Sequence, residues 1–300
     1  MNTGVYRAAS SVLLPRFEGE TVLNLMKEHK VSVFAGVPTM YWGLLNSAEK
    51  YKDLDIVIKN LRIAISGGAA LPHTILSEFG EKFKVQILEG FGMSEGSPVV
   101  TFNQSEVGTK PNSIGTPIWG VHVKLVDEKG NEVPVGEKGE LIYKGHNVMK
   151  GYYNRPEANI AALRDGWMYS GDIAIKDEDG FYFIVDRKKD MVIRGGLNVY
   201  PREVEEVMMK HPAVSLVAVI GVPDVKLGEE VKAFVQLKEN MSVTSQELIQ
   251  WTKQKIAAYK YPRTIDIVSA LPTSATGKIL KKELRKIGMS EEELEMSEEE

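Results

Sequence analysis

Apolar and polar positions along the first hundred residues alternate between two periods. Residues 19–30 carry Val22, Leu23, Leu25 and Met26 on one side and Glu20, Lys27 and Glu28 on the other, a helix with one buried face. "VSVFAGV" at 31–37 is a short continuous apolar run and predicts a buried strand. "PTMYWGLLNSAEKY" follows as a helix opened by Pro38. "LRIAISGG" (61–68) predicts a second strand that stops at paired glycines, "LPHTILSEFGEKF" a helix, and "VQILEGFGMSE" a strand ending in a loop. Strand and helix alternating at this spacing predict a parallel sheet with helices packed on it.

The pattern changes near residue 104. Up to 186 the runs are short and separated by turn residues: "VHVKLVDEKGNEV", "GELIYKG" and "IAIKDEDGFYFIVDR", with hairpin signals at "EKGN" and "EDG". After 186 the mixed pattern returns. "YPREVEEVMMKHP" predicts a helix with Pro201 in its first turn, "AVSLVAVIGV" a buried strand, "EVKAFVQLKE" an alternating strand, and "TSQELIQWTKQKIAAY" a helix opened by a Ser/Thr cap. The expected organisation is an α/β subdomain at 1–103, a β-rich subdomain at 104–186 and a small α+β C-terminal domain at 187–290, with an acidic disordered tail at 291–300. The boundary falls in "DRKKD", 186–190, and no internal repeat is visible.

Composition narrows the chemistry. The chain has 300 residues and no cysteine, which excludes disulfides, thiolate metal sites and a cysteine nucleophile. The longest apolar stretch, 31–45, is interrupted by Gly36 and Pro38 and is shorter than a membrane span, and "MNTGVYRAASS" lacks the pattern of a secretory signal. A cytoplasmic protein with at most peripheral membrane association is expected. The formal net charge is -4, but residues 187–290 hold 18 basic against 11 acidic side chains. That segment suits anionic small molecules such as nucleotides or coenzyme A. It lacks the dense basic runs with interleaved aromatics of a nucleic-acid surface, so no nucleic-acid partner is expected.

Five segments could carry chemistry. "SGGAALP" (66–72) lets a flat ligand approach a backbone without Cβ atoms, or is a plain strand-to-helix turn. "EGFGMSEGSP" (89–98) offers an aromatic face, a hydroxyl and a carboxylate within five residues, or is a flexible loop. "GWMYSGD" (166–172) ends in an aspartate that could hold ribose hydroxyls or close an Asx turn. "DRKKDMVIRGGLNVYPREVEE" (186–206) reads as a hinge or a solvated charged face. "LPTSATGKIL" (271–280) has a Gly-Lys pair but is no Walker loop, because Pro272 and Ile279 stand where that motif needs Gly and Ser/Thr. Among the usual catalytic sets, H-E-x-x-H is absent, and the five histidines are scattered.

In order and spacing these five segments resemble the adenylate-forming enzymes: acyl-CoA synthetases, luciferases and peptide-synthetase adenylation domains. "SGGAALP" resembles the adenine-side loop, "GFGMSE" the YGxTE motif, "YSGD" the TGD motif, "DRKKDMVIRGGLNVYP" the hinge segment and "PTSATGKILKKELR" the C-terminal lysine motif. Within the family, "GHNVMKGYYNRPEA", "VPTMY" and "RGGLNVYPREVEE" look most like bacterial fatty acyl-CoA synthetases. The resemblance implies a truncated adenylate-forming enzyme fold. It implies ATP-dependent activation of a fatty acid through acyl-AMP, with transfer to the thiol of coenzyme A and Mg²⁺ as the metal.

The resemblance also implies roles for individual residues. Gly67, Gly68 and Ala69 would border the adenine, with Phe91 stacking on it and Gly92 beside it. Ser94 would touch the α-phosphate and Glu95 would hold Mg²⁺. Asp172 and Arg187 would take the ribose, Lys189 would be the hinge, and Lys278 would be the adenylation lysine. Gly195, Gly196 and Asn198 would face the pantetheine channel once the small domain turns. Phe91 and Ser94 stand where the family often has Tyr and Thr; both keep the chemistry. The family's Ser/Thr/Gly-rich phosphate loop is not found in residues 1–65, so the chain resembles the back portion of the family and a complementing N-terminal half is an implied partner. A non-catalytic nucleotide- or CoA-binding module, and the same fold acting on an aryl, short-chain or amino acid, are the alternative readings.

Overall fold

The computed structural model describes residues 2–104, 107–274 and 277–288. The tail expected at 291–300, and residues 275–276 of the lysine motif, lie outside the described residues.

A short helix α1 (Asn2–Tyr6) precedes α2 (Gly19–Glu28), which Glu18 caps by accepting from the Glu20 and Thr21 amides. Then come β1 (Val33–Gly36), α3 (Pro38–Ala48), α4 (Leu54–Asn60), β2 (Ile63–Ser66), α5 (His73–Phe83) and β3 (Ile87–Gly92). β1, β2 and β3 pair in parallel, with Val33 opposite Ile63 and Ala64 opposite Ile87. Leu23, Leu44, Val57 and Phe79 are fully buried beneath the helices, each contributing about 1.5–3 kcal/mol by leaving water. Tyr41 ties α3 to the sheet: its hydroxyl donates to the Ile65 carbonyl at 2.6 Å, and its ring meets Phe79 edge-on at 4.9 Å.

The sheet is not wholly parallel. β4 (Val99–Phe102) runs antiparallel to β3, and β5 (Thr116–Pro117) antiparallel to β4. The chain leaves β3 through a single 3-10 turn, Ser94–Gly96, and returns at once. A parallel return needs a crossover of a dozen or more residues, so this connection imposes the antiparallel partner. The short helix α4 is the other feature of this region that the apolar pattern does not announce.

The β-rich segment forms a second sheet: β6 (Val121–Val126), β7 (Lys138–Gly145), α6 (Pro156–Ala162), β8 (Leu163–Arg164), β9 (Trp167–Lys176) and β10 (Tyr182–Arg187), in the order β10-β9-β7-β6 with β8 on β9. The "EDG" turn makes a true hairpin between β9 and β10. Asp177 accepts from the amides of Asp179 and Phe181, and Gly180 takes φ +84°. The "EKGN" turn is built the same way on Asp127, but beyond it only one bridge, Val126 to Glu132, forms. The partner of β6 is β7 instead.

The third sheet holds β11 (Val192–Arg194), β12 (Leu197–Val199), β13 (Val214–Asp224), β14 (Gly228–Leu237) and β15 (Thr264–Ile267), flanked by α7 (Pro201–Met208), α8 (Ser245–Lys253) and α9 (Lys281–Gly288). β13 is buried on both faces, against α7 and α8 on one side and Leu271 and Leu284 on the other. Thr244 and Glu247 form a capping box at α8, which ends at Lys253, six residues before the expected Tyr259. The chain crosses from the second sheet to the third between Arg187 and Val192, through a 3-10 turn at Lys188–Asp190. Among the described residues no helix is long and apolar enough to cross a membrane.

Candidate functional site

A cleft of about 390 Å³ lies where the three sheets meet. Its floor comes from the C-terminal ends of β2 and β3, where open α/β sheets present ligand-binding loops. Gly68 and Ala69 line it after β2, and Phe91 and Gly92 at the end of β3. Gly68 has φ +80°, a left-handed conformation open to glycine. Gly92 approaches the Pro98 carbonyl so closely that any Cβ would collide with it. Gly67 is not among the residues that line the cleft, and a Cβ on it would meet the Gly90 carbonyl at 3.6 Å.

The second wall is charged. Asp172 on β9 stands opposite Arg187 on β10 in the strand register, and Arg187 Nε donates to Asp172 Oδ1 at 3.3 Å. Burial pushes the Asp172 carboxyl above the usual carboxylate range, while Arg187, Lys278 and Lys189 oppose the shift. Lys278 enters from the loop before α9. Burial and the neighbouring Arg187 hold its ammonium below the ordinary lysine value, with Lys189 adding to the effect and Asp172 opposing it. Lys189, in the 3-10 turn between sheets, lines the same cleft.

Of the residues singled out from sequence, Gly68, Ala69, Phe91, Gly92, Asp172, Arg187, Lys189 and Lys278 thus share one cavity. Ser94 and Glu95 sit in the adjacent 3-10 turn, Ser94 exposed and Glu95 partly buried. Glu95 Oε1 accepts from the Tyr152 hydroxyl at 2.8 Å. Burial and that carboxylate raise the Tyr152 phenol to about 12. Gly195, Gly196 and Asn198 lie away from the cleft on the β11–β12 hairpin, with φ +57° and +80° at the two glycines.

Two polar groups at or beside the cleft were not legible in the sequence. Tyr152 is 57 residues from Glu95, and no spacing links them. Glu89 lines the cleft from β3 and is only 5% exposed. Its Oε1 accepts from the Leu71 amide at 3.3 Å, and its Oε2 is buried without a partner. Burial raises this carboxyl to about 7 against the pull of Arg202 on α7. The signal available was a glutamate at an inward position of a buried strand, a place where a charge is costly unless used.

Beside the cleft lies a network of partly buried ions. Lys281 on α9 pairs with Glu205 on α7 at 2.7 Å, and Arg285 with Asp190 at 2.8 Å. Asp186 accepts from the amides of Arg187 and Arg202. Burial works against the Lys281 ammonium, but Glu205 and Asp186 outweigh it and hold its pKa above the usual lysine value. Among the described residues no group of three or more His, Cys, Asp or Glu side chains could by itself hold a metal ion.

Comparison with known proteins adds relatives. Residues 1–153 match the AMP-binding enzyme family and residues 203–278 the AMP-binding enzyme C-terminal domain. A long-chain-fatty-acid--CoA ligase of Bacillus subtilis (strain 168) is 41% identical over 95% of this chain and 50% of its own length. A feruloyl-CoA synthase of Amycolatopsis sp is 39% identical over 93% of this chain and 56% of its own. The ATP-bound structure of MatB from Rhodopseudomonas palustris superposes with a TM-score of 0.88 at 33% identity, covering 95% of this chain and 56% of that one. The chain spans about half the length of the curated relatives it matches.

Proposed function

We propose, from the premise that the chain belongs to the AMP-binding enzyme family, that it provides the adenylate- and CoA-facing part of an AMP-forming acyl-CoA ligase. The observation that carries this reading is the convergence of Gly68–Ala69, Phe91, the Asp172–Arg187 pair and Lys278 on one cleft. Phe91 and the glycine loop form a flat platform for adenine, beside Gly67 and Gly92. Asp172, acceptor-rich and steadied by Arg187, takes the ribose hydroxyls. Glu89 lines the platform, with one carboxyl oxygen bonded to the Leu71 amide and the other buried without a partner.

In the first half-reaction a carboxylate oxygen attacks the α-phosphorus of ATP. The bond to pyrophosphate breaks, leaving acyl-AMP. Negative charge gathers on the phosphate oxygens, where the Lys278 ammonium and the Ser94 hydroxyl offset it. Glu95 is a single carboxylate with one oxygen left for a ligand, which fits a Mg²⁺ held mainly by nucleotide phosphates; the metal would supply further charge neutralisation there. In the second half-reaction the thiol of coenzyme A attacks the acyl carbon and AMP leaves. That step needs another surface over the same carbonyl. The domain boundary is read at 186–190, and the segment 187–290 turns about Lys189 to bring Gly195, Gly196 and Asn198 to the pantetheine.

The substrate is read as a fatty acid, in line with the Bacillus relative. The feruloyl relative, nearly as similar, supports an aryl acid as a second reading. ATP–pyrophosphate exchange by the whole gene product, with a panel of fatty and aryl acids, tests both. Exchange with long-chain acids is expected. Exchange only with aryl acids moves the substrate class. AMP binding without exchange on any acid makes the chain a binding module and overturns the ligase reading.

A further inference from the structure

We infer that Thr39 and Trp42, neighbours on one face of α3, are positioning residues that hold Lys278 in the cleft. The two side chains are three residues apart, so they project together from the helix. Both reach across to the C-terminal domain. Thr39 Oγ1 donates to the Gly277 carbonyl at 2.6 Å, and Trp42 Nε1 donates to Ser215 Oγ on β13 at 2.9 Å. Gly277 immediately precedes Lys278, so the Thr39 bond orients the peptide from which the lysine side chain leaves.

The approach is tight on both sides. Gly277 has φ +81°, and a Cβ there would stand 2.6 Å from Thr39 Oγ1 and 3.2 Å from Val37 Cγ2. Trp42 packs at once against the core under α3 and against the cluster of Leu216, Phe234, Leu271 and Leu284 in the C-terminal domain. Ser215 is 5% exposed beneath it. A turn of the C-terminal domain that withdraws Lys278 must break both bonds and uncover the indole. Each bond biases the arrangement by about three- to tenfold, enough to favour the docked state while leaving it escapable. The contact stands on geometry; its consequence for catalysis rests on the acyl-adenylate reading above.

The chain has no cysteine, so spin labels can be placed without background. Labels at Lys50→Cys and Lys226→Cys, both exposed, report the distance between the two bodies in this chain by pulsed electron resonance. The wild type is expected to give one dominant narrow distribution, retained by Thr39→Ser. The pair Thr39→Val with Trp42→Phe is expected to broaden or shift it. Ser215→Ala, which removes the indole's acceptor from the other side, is expected to act in the same direction with the α3 helix intact. A broad wild-type distribution, or variants that match a narrow one, overturns the inference. In the whole gene product, Thr39→Val should slow acyl-AMP formation about three- to tenfold and leave thioester formation from supplied acyl-AMP unchanged or faster. Equal slowing of both steps overturns the positioning role. A wild type that forms no acyl-AMP sinks the ligase reading but leaves the distance measurement to decide the docking.

Discussion

Lys278 and Lys281 lie three residues apart yet occupy opposite electrostatic worlds. Lys281 is enclosed, paired with Glu205 and close to Asp186 and Asp190, so its charge is locked in place by acids that outweigh its burial. Lys278 is half-buried beside Arg187 and Lys189, and these cations and its burial together make its ammonium easier to deprotonate. One lysine is satisfied by the protein; the other is arranged to be satisfied by something else. The same contrast separates the two carboxylates of β3 and β9. Asp172 has Arg187, whereas one oxygen of Glu89 has no partner. Groups left unsatisfied in a cleft mark where a ligand completes the electrostatics.

The comparison breaks first at Lys281. Lys281→Ala removes the cation paired with Glu205 in a partly buried site and should cost about 1–3 kcal/mol of stability, read as a lowered midpoint in urea unfolding. Lys278→Ala should leave that midpoint within about 0.5 kcal/mol, because it removes no buried pair. If the two losses are alike, the distinction between the lysines fails.

Smaller effects sharpen the contrast. Glu89 carries a folded-state pKa of about 7 against an unfolded value of 4.5, so the folded chain binds the extra proton over that interval. Stability therefore falls as pH rises from 4.5 to 7 and stays lowered above it. Glu89→Gln should gain about 1–3 kcal/mol at pH 8, and the gain should vanish near pH 4. A gain independent of pH contradicts the assignment. Lys278 must be charged to offset phosphate, so acyl-AMP formation should fall on the alkaline side at a pH below the ordinary lysine value of 10.5, with thioester formation not following it. Last, Lys189→Pro should stiffen the turn between sheets and slow thioester formation by a few fold more than acyl-AMP formation. Slowing of the first step alone places the hinge elsewhere.

Much of the fold was legible because its signals are local. Paired glycines end β2, Asp177 and Gly180 build the β9–β10 turn, and Thr244 opens α8. The antiparallel β4 was hidden because its cause is a turn of three residues, Ser94–Gly96, rather than an apolar period. In the site, Phe91 stood out at a strand end and Asp172 by its type, although β9 runs on past Asp172 to Lys176. What depends on long-range meeting did not. Tyr152 with Glu95, Thr39 with Gly277, and Lys281 with Glu205 are each joined only by the folding of distant elements. A lysine's neighbours, not its motif, decide whether its charge is spent or available, and neighbours are set by tertiary packing.

The most direct test measures the two half-reactions separately in the whole gene product with and without Lys278→Ala. Acyl-AMP formation, followed by pyrophosphate release, should drop by about 10²–10³, while thioester formation from supplied acyl-AMP and coenzyme A should change less than about threefold. Equal losses in both steps, or none in the first, would contradict the assignment of Lys278 as the cation that the adenylation step requires.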